Sequence, residues 1–201
     1  ACPGDVRRVF EELSGIDAVL AADTQDPELI KTSLGYADLI LSLHEGNIPE
    51  VGSLVAEAGA AAVIVPGEST LEENITMARD AGIRKIIADP LLQPAGSGLL
   101  NSLSGFRDYG FPLFFGAGNV VELIDADSPG ANALLAAIAM EAGASLIFTS
   151  EHSDKTYGSV REMRRACGMM ALAANRPYPK DLGIDLLCIK EKRKRREPVL
   201  E

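Results

Sequence analysis

An α/β fold of parallel strands alternating with helices is predicted by three features of the sequence. Short apolar runs recur at intervals of mostly 20 to 35 residues. The segments between them carry apolar residues at helical spacing, with Pro, Asp or Ser at their starts and Gly at their ends. Six of the runs stop on a polar or Gly-rich cluster: Ala22-Asp23-Thr24, Leu43-His44-Glu45-Gly46-Asn47, Pro66-Gly67-Glu68, Asp89-Pro90, Gly116-Ala117-Gly118-Asn119 and Ser150-Glu151-His152-Ser153. Such alternation belongs to a barrel or a doubly wound sheet, where ligands bind at the C-terminal ends of the strands. Both histidines of the chain, His44 and His152, fall at those ends.

The elements follow in order. Pro3-Gly4-Asp5 opens a helix to about Leu13, with Val6, Val9, Phe10 and Leu13 on one face. Ala18–Ala22 is the first strand. Asp26-Pro27 starts a helix, Leu39–Leu43 is a strand, and Ile48-Pro49-Glu50 leads a helix that ends at Gly59. Ala61–Val65 is the next strand. Ser69 and Glu72 have capping-box spacing for a helix to about Ala81, before Gly82 and the strand Lys85–Ala88. Residues 91–109, with Gly96-Ser97-Gly98, form the least regular connection. Pro112–Phe115 is a strand, Pro129–Ala142 an alanine-rich helix stopped by Gly143, Leu146–Thr149 the sixth strand, and about Ser159–Ala174 a helix whose Arg161, Arg164 and Arg165 read as a solvated side. Beyond Pro177 and Pro179, Leu186–Ile189 reads as a seventh or edge strand and Lys190 onward as a solvated basic tail. The chain thus divides into residues 1–178 and a C-terminal strand and tail, 179–201.

Composition narrows the function classes. With 201 residues, 47% of them hydrophobic, the chain can bury a large core and is not disordered. The net charge is -10, but residues 190–197 hold six basic and two acidic residues, so the rest carries 13 basic against 27 acidic, a balance of -14. A body this acidic repels a nucleic-acid backbone, and no nucleic-acid partner is expected. Cys2, Cys167 and Cys188 lack CxxC spacing and read as reduced, buried small hydrophobes. No leader and no uncharged run of about 20 residues is seen, so a soluble, cytoplasmic protein without membrane partners is expected.

Residues at the strand ends could carry chemistry. Asp23 and Asp89 are carboxylates directly after apolar strands. An ionised carboxylate held rigidly there can accept two N–H bonds from the guanidine-like edge of a planar heterocycle. The alternative is helix capping, which Asp26 already supplies near Asp23 and which stays open for Asp89. His44 and His152 with Glu45, Glu68 and Glu151 match no metal-site spacing, and no metal site is assigned. No cysteine and no Gly-x-Ser-x-Gly turn lies on this face, so nucleophilic catalysis is not expected. Gly116 to Asn119, with Lys155 on the following loop, fall where barrels place phosphate, although a tight turn explains the glycines equally well.

Taken in order, the strand ends resemble those of dihydropteroate synthase, the pterin-binding barrel, and above all its archaeal dihydropteroate synthase-related members. Ala21-Ala22-Asp23-Thr24-Gln25-Asp26-Pro27-Glu28 is similar to the family's Ile-Asp-Thr strand end before its Pro-Glu helix start. Ile86-Ile87-Ala88-Asp89-Pro90 is similar to its Asp-Pro-Gly strand end, Phe115-Gly116-Ala117-Gly118-Asn119 to its Gly-x-Ser-Arg-Lys, and Ser150-Glu151-His152 to its Arg-Val-His. The resemblance covers about residues 4 to 175. It implies a (β/α)8 TIM barrel whose first two strands have no counterpart here, since the chain begins with what would be the helix after the second.

The resemblance also implies a site. Reduced pterin would be held by Asp23 and Asp89, with Ser42, Asn47, Gly116 and Asn119 around it. An anion would sit at Gly118, Ser150, His152 and Lys155, and His152 and Lys155 would be the catalytic pair. The implied reaction joins a hydroxymethyl-dihydropterin to an arylamine with loss of pyrophosphate, in methanopterin or folate-like biosynthesis, with Mg2+ serving the leaving group. A homodimer is compatible with it. Three departures separate this chain from the family pattern: Asn119 stands for its pterin-contacting lysine, Ser150 for its anion-binding arginine, and Ser42 to Asn47 lacks its Asn-Asp pair. Two further readings follow from them: a methyltransferase-type pterin barrel with a corrinoid partner, and a pterin-binding module without chemistry.

Overall fold

The computed structural model describes residues 2–184. The expected strand Leu186–Ile189, Cys188 and the basic tail lie outside the described residues. The described residues form two compact units: 2–91 with 104–115, and 92–103 with 116–184.

The first unit alternates α1 (Pro3–Leu13), β1 (Ala21–Asp23), α2 (Pro27–Ser33), β2 (Leu39–Leu43), α3 (Ile48–Ala58), β3 (Ala61–Ile64), α4 (Leu71–Asp80) and β4 (Ile86–Ala88). The strands form one parallel sheet in the order β1-β2-β3-β4. A parallel bridge from Ala88 to Leu113 continues it. Parallel strands covered on both faces must be apolar throughout, and Ile40, Leu43, Ala62, Val63, Ile64 and Ala88 have no exposed surface. Around them Ile30, Val51, Val55, Ile75 and Ala78 complete the core from the helices.

Helix boundaries follow local chemistry. Asp26 caps α2 by accepting the N–H groups of Glu28 (2.8 Å) and Leu29 (3.2 Å). Gly59 ends α3 in the left-handed region at φ 68°. The capping box of α4 is Thr70 with Glu73, not Ser69 with Glu72. Both pairs have the right spacing, but the Ser69 carbonyl accepts the Gly67 N–H (3.0 Å) in the preceding turn. A start at Thr70 also points Leu71, Asn74, Ile75 and Ala78 into the core.

Three further expectations are corrected. Strand β1 covers Ala21–Asp23 rather than Ala18–Ala22, because its ladder with β2 begins only where Asp38 and Leu39 donate to the Leu20 carbonyl. Val19 is left 74% exposed. In α1 only Phe10 is buried, stacked on Tyr36 at 5.8 Å, while Val9 faces solvent. Cys2 is exposed rather than buried, and Cys167 is partly buried.

In the second unit α5 (Leu99–Leu103) is a short helix inside the connection expected to be irregular. Strand β5 (Phe114–Gly116) ends the first unit and opens the second. The Gly-rich segment after it is not an open loop: α6 (Gly118–Val121) starts there. Then come α7 (Ser128–Glu141), β6 (Leu146–Phe148), a 3-10 turn (Asp154–Thr156) and α8 (Ser159–Ala173). Leu135, Ala136 and Ala139 of α7 and Met163, Ala166 and Met170 of α8 are buried. Of the three arginines expected on a solvated side, Arg161 and Arg164 are exposed and Arg165 is partly buried. No helix among the described residues is long and apolar enough to cross a membrane.

The shifted capping box has a measurable consequence. Thr70→Ala should lower stability by about 1 kcal/mol, whereas Ser69→Ala should stay within about 0.5 kcal/mol of the parent. Urea unfolding of the two variants checks this, and the reverse ranking would place the cap at Ser69.

Candidate functional site

In the first unit the parallel ladder, whose β2–β3 register shifts by one residue between Leu41 and Leu43, brings the C-terminal ends of β1 to β4 to one edge of the sheet. Asp89 extends β4 by one residue, its N–H donating to the Ile64 carbonyl at 2.9 Å. It is 5% exposed. One carboxyl oxygen accepts the N–H of Leu91 at 2.8 Å, in a turn that places Leu91 at φ 63°. Among the described residues no protein group bonds the other oxygen. No helix starts at Asp89, which settles the capping alternative left open by the sequence. Burial pushes its carboxyl up to about 6 against the lowering effect of the Leu91 bond.

Asp23 ends β1 on the same edge, exposed and with no hydrogen-bond or ionic partner among the described residues. The surrounding protein still raises its pKa by desolvation. Between these two acids lies the end of β2. Asn47 is 2% exposed and fully committed: its Nδ2 donates to the carbonyls of Ser42 (3.2 Å) and Gln25 (3.3 Å), and its Oδ1 accepts the His44 N–H (2.9 Å). It therefore fixes the loops rather than offering an amide to a ligand. Ser42 is half-buried, its hydroxyl 3.4 Å from the Gln25 amide nitrogen. His44 uses Nδ1 to accept the Gly46 N–H at 3.1 Å.

Glu45 locks the end of β3. Its carboxylate accepts from Asn74 Nδ2 and from the Glu68 N–H, both at 2.7 Å, and Asn74 also donates to the Val65 carbonyl at 2.9 Å. The Asn74 and Glu68 bonds hold the Glu45 carboxyl at about 2. A side chain at Gly67 would collide with this carboxylate, so the turn needs glycine.

In the second unit the residue that organises the loops is Glu122, which the sequence reading did not single out. It follows α6 and gathers Ser150 Oγ (3.1 Å), the His152 N–H (2.7 Å), Ser153 Oγ (2.8 Å) and Thr156 Oγ1 (2.7 Å). Burial opposes its charge, but these bonds more than reverse that and bring the carboxyl to about 2. Lys155 bonds the Ile124 carbonyl and lies 3.8 Å from Asp125. Asn119 donates to the Leu92 carbonyl at 2.9 Å. Gly118 faces Ser150 Oγ, which a methyl group would meet at 3.4 Å. Gly116 is buried at the end of β5. The His152 ring is exposed.

Mg2+ needs several oxygen ligands in an octahedral arrangement. Glu45 and Glu122 are committed to protein donors, and among the described residues no three of His, Cys, Asp or Glu converge. Among the described residues this donor set does not fit the ion. A shallow cavity of about 360 Å³, lined by Arg79, Arg84 and Phe111, opens at the other end of β4 and takes no part in this arrangement.

Known proteins place the fold. No protein-family model matches the chain. An uncharacterized protein of Methanocaldococcus jannaschii is 40% identical over 94% of this chain, and the chain spans 40% of that relative's length. Among solved structures, dihydropteroate synthase from Stenotrophomonas maltophilia has a TM-score of 0.66 at 16% identity, covering 86% of this chain and 76% of that one. The Yersinia pestis enzyme, solved with a pterine-sulfa conjugate, has a TM-score of 0.63 at 21% identity over 84% of this chain and 76% of that one. The Coxiella burnetii enzyme, solved with pteroic acid, has a TM-score of 0.60 at 19% identity over 83% and 73%. The chain has a dihydropteroate synthase-like α/β fold.

The three acids give opposite pH signatures. Glu45 and Glu122 sit near 2 when folded against 4.5 otherwise, so their stabilisation is full above about pH 4.5 and is lost as pH falls towards 2. Asp89 sits near 6 against 3.8, so it costs stability as pH rises from about 4 to 6. Asp89→Asn should therefore stabilise the chain at pH 7 by an amount on the order of 1 to 3 kcal/mol and flatten that interval, while Glu45→Gln should weaken the dependence below pH 4.5. Urea unfolding across pH checks both. An Asp89→Asn variant no more stable than the parent at pH 7 would refute the buried-carboxylate account.

Proposed function

We propose that this chain is the pterin-binding portion of a dihydropteroate synthase-like barrel protein and that Asp89 is its principal acceptor. Asp89 carries the reading: a carboxylate almost removed from water, anchored by one oxygen and bare at the other, at the end of an apolar strand. The natural guest for such a group is a flat heterocycle that offers two adjacent N–H donors and pairs with both oxygens. The 2-amino and ring N–H groups of a reduced pterin have that form. Asp23, unpartnered on the same sheet edge, is the second acceptor, and Ser42 stands between them. The likeness in fold to dihydropteroate synthases, two of them solved with pterin-containing ligands, supports the choice of pterin.

For chemistry there are two readings. In the first, an arylamine nitrogen attacks the pterin methylene, the bond to the diphosphate oxygen breaks, and the amine loses a proton. In the second, the pterin is held without losing a diphosphate, for methyl transfer with a corrinoid partner or for binding alone. Glu122 favours the second, because Ser150, the His152 N–H and Ser153 are spent on a protein carboxylate and Lys155 on a carbonyl.

Titration calorimetry of the full chain with a reduced pterin tests the binding. Saturable binding is expected, weakened about tenfold to a hundredfold in Asp89→Asn, which loses a charged acceptor. A folded chain that binds no reduced pterin, or a variant of equal affinity, would overturn the reading.

A further inference from the structure

The donors that Glu122 gathers in the second unit are those an oxyanion would use. Three hydroxyls and one backbone N–H converge on its two oxygens at 2.7 to 3.1 Å, the lengths at which a phosphate oxygen would be held. The cradle keeps its shape through contacts of its own. Thr156 is fully buried, the Ser153 N–H donates to Thr156 Oγ1 at 3.1 Å, and the two hydroxyl oxygens lie 3.0 Å apart. Among the described residues no guanidinium enters it, and the Lys155 ammonium is turned onto the Ile124 carbonyl.

We infer that Glu122 is a built-in oxyanion that occupies the cradle of the Ser150–Thr156 loop and bars phosphate and diphosphate groups from it. An incoming phosphate would have to displace a carboxylate already satisfied by four donors, or share the cradle with a like charge. Acid does not open it, since the carboxyl stays ionised down to about pH 2. Glu122 is thus a residue that determines which ligands this loop accepts. The inference concerns the second unit alone and stands whether or not the first unit binds a pterin.

The test is a titration of the full chain with inorganic diphosphate, free of magnesium and of pterin, following the His152 and Ser153 amide resonances. The parent should show no saturable shift up to about 10 mM, whereas E122A should saturate with an affinity at least tenfold tighter. Acetate, which replaces the lost carboxylate, should compete with it. E122Q keeps the side-chain volume and loses the charge. It should bind diphosphate at least about fivefold more tightly than the parent, and it decides the matter if E122A does not fold. Saturable binding at these amides in the parent, or no gain in either folded variant, would overturn the inference. Pterin titrations read different residues, so failure here is distinguishable from failure of the proposed function.

Discussion

Parallel pairing of β1 to β4, with a single register shift between Leu41 and Leu43 against β3, is the constraint on which the first unit depends. Asp23 opposite Leu41, Leu43 opposite Ile64, and Ile64 opposite Ala88 fix where each strand stops. Once those stops are aligned, every residue that follows a strand is delivered to one edge. The apolar core holds the strands, and Asn47 and Glu45 fix the loops that follow them. Asp89 can therefore sit at a strand end with its carboxyl titrating near 6, a cost carried by the burial of the surrounding strands.

Polar order at the strand ends is local and self-contained. Asn47 closes the end of β2, and Glu45 with Asn74 closes the end of β3. In the second unit Glu122 closes the loop after β6. Asn47, Glu45 and Glu122 have nearly all their hydrogen-bonding capacity filled by protein, whereas Asn74 spends both its N–H groups and keeps a buried Oδ1 without a partner among the described residues. Asp23 and Asp89 are different, because among the described residues one carries no partner and the other is left with a bare oxygen. That contrast separates the carboxylates that build the edge from the two left open on it.

Much of this was legible in the sequence, for physical reasons. Strand ends announce themselves because an apolar run must stop where the chain leaves the core, so Asp23 and Asp89 stood out. Asp26-Pro27 and Gly59 mark helix limits through capping chemistry that is local to a few residues. Pairing was not legible: Ala18 and Val19 are apolar enough for a strand, yet the ladder with β2 begins only at the Leu20 carbonyl. Ser69 and Thr70 have equal capping credentials, and only the burial of Leu71, Asn74 and Ile75 chooses between them. Glu122 was invisible because its partners lie 28 to 34 residues away. A lone acid one turn beyond a Gly-rich strand end was the single signal it gave.

The central claim is that Asp89 receives the ligand as an ionised acceptor. Carbon-13 NMR of the Asp89 carboxyl, titrated in the full chain with and without a reduced pterin, tests it most directly. Without ligand the carboxyl should titrate near 6. With saturating pterin its pKa should fall by at least about one unit, because two N–H donors favour the charged form. A bound pterin that leaves this titration unchanged, or raises it, would contradict the account.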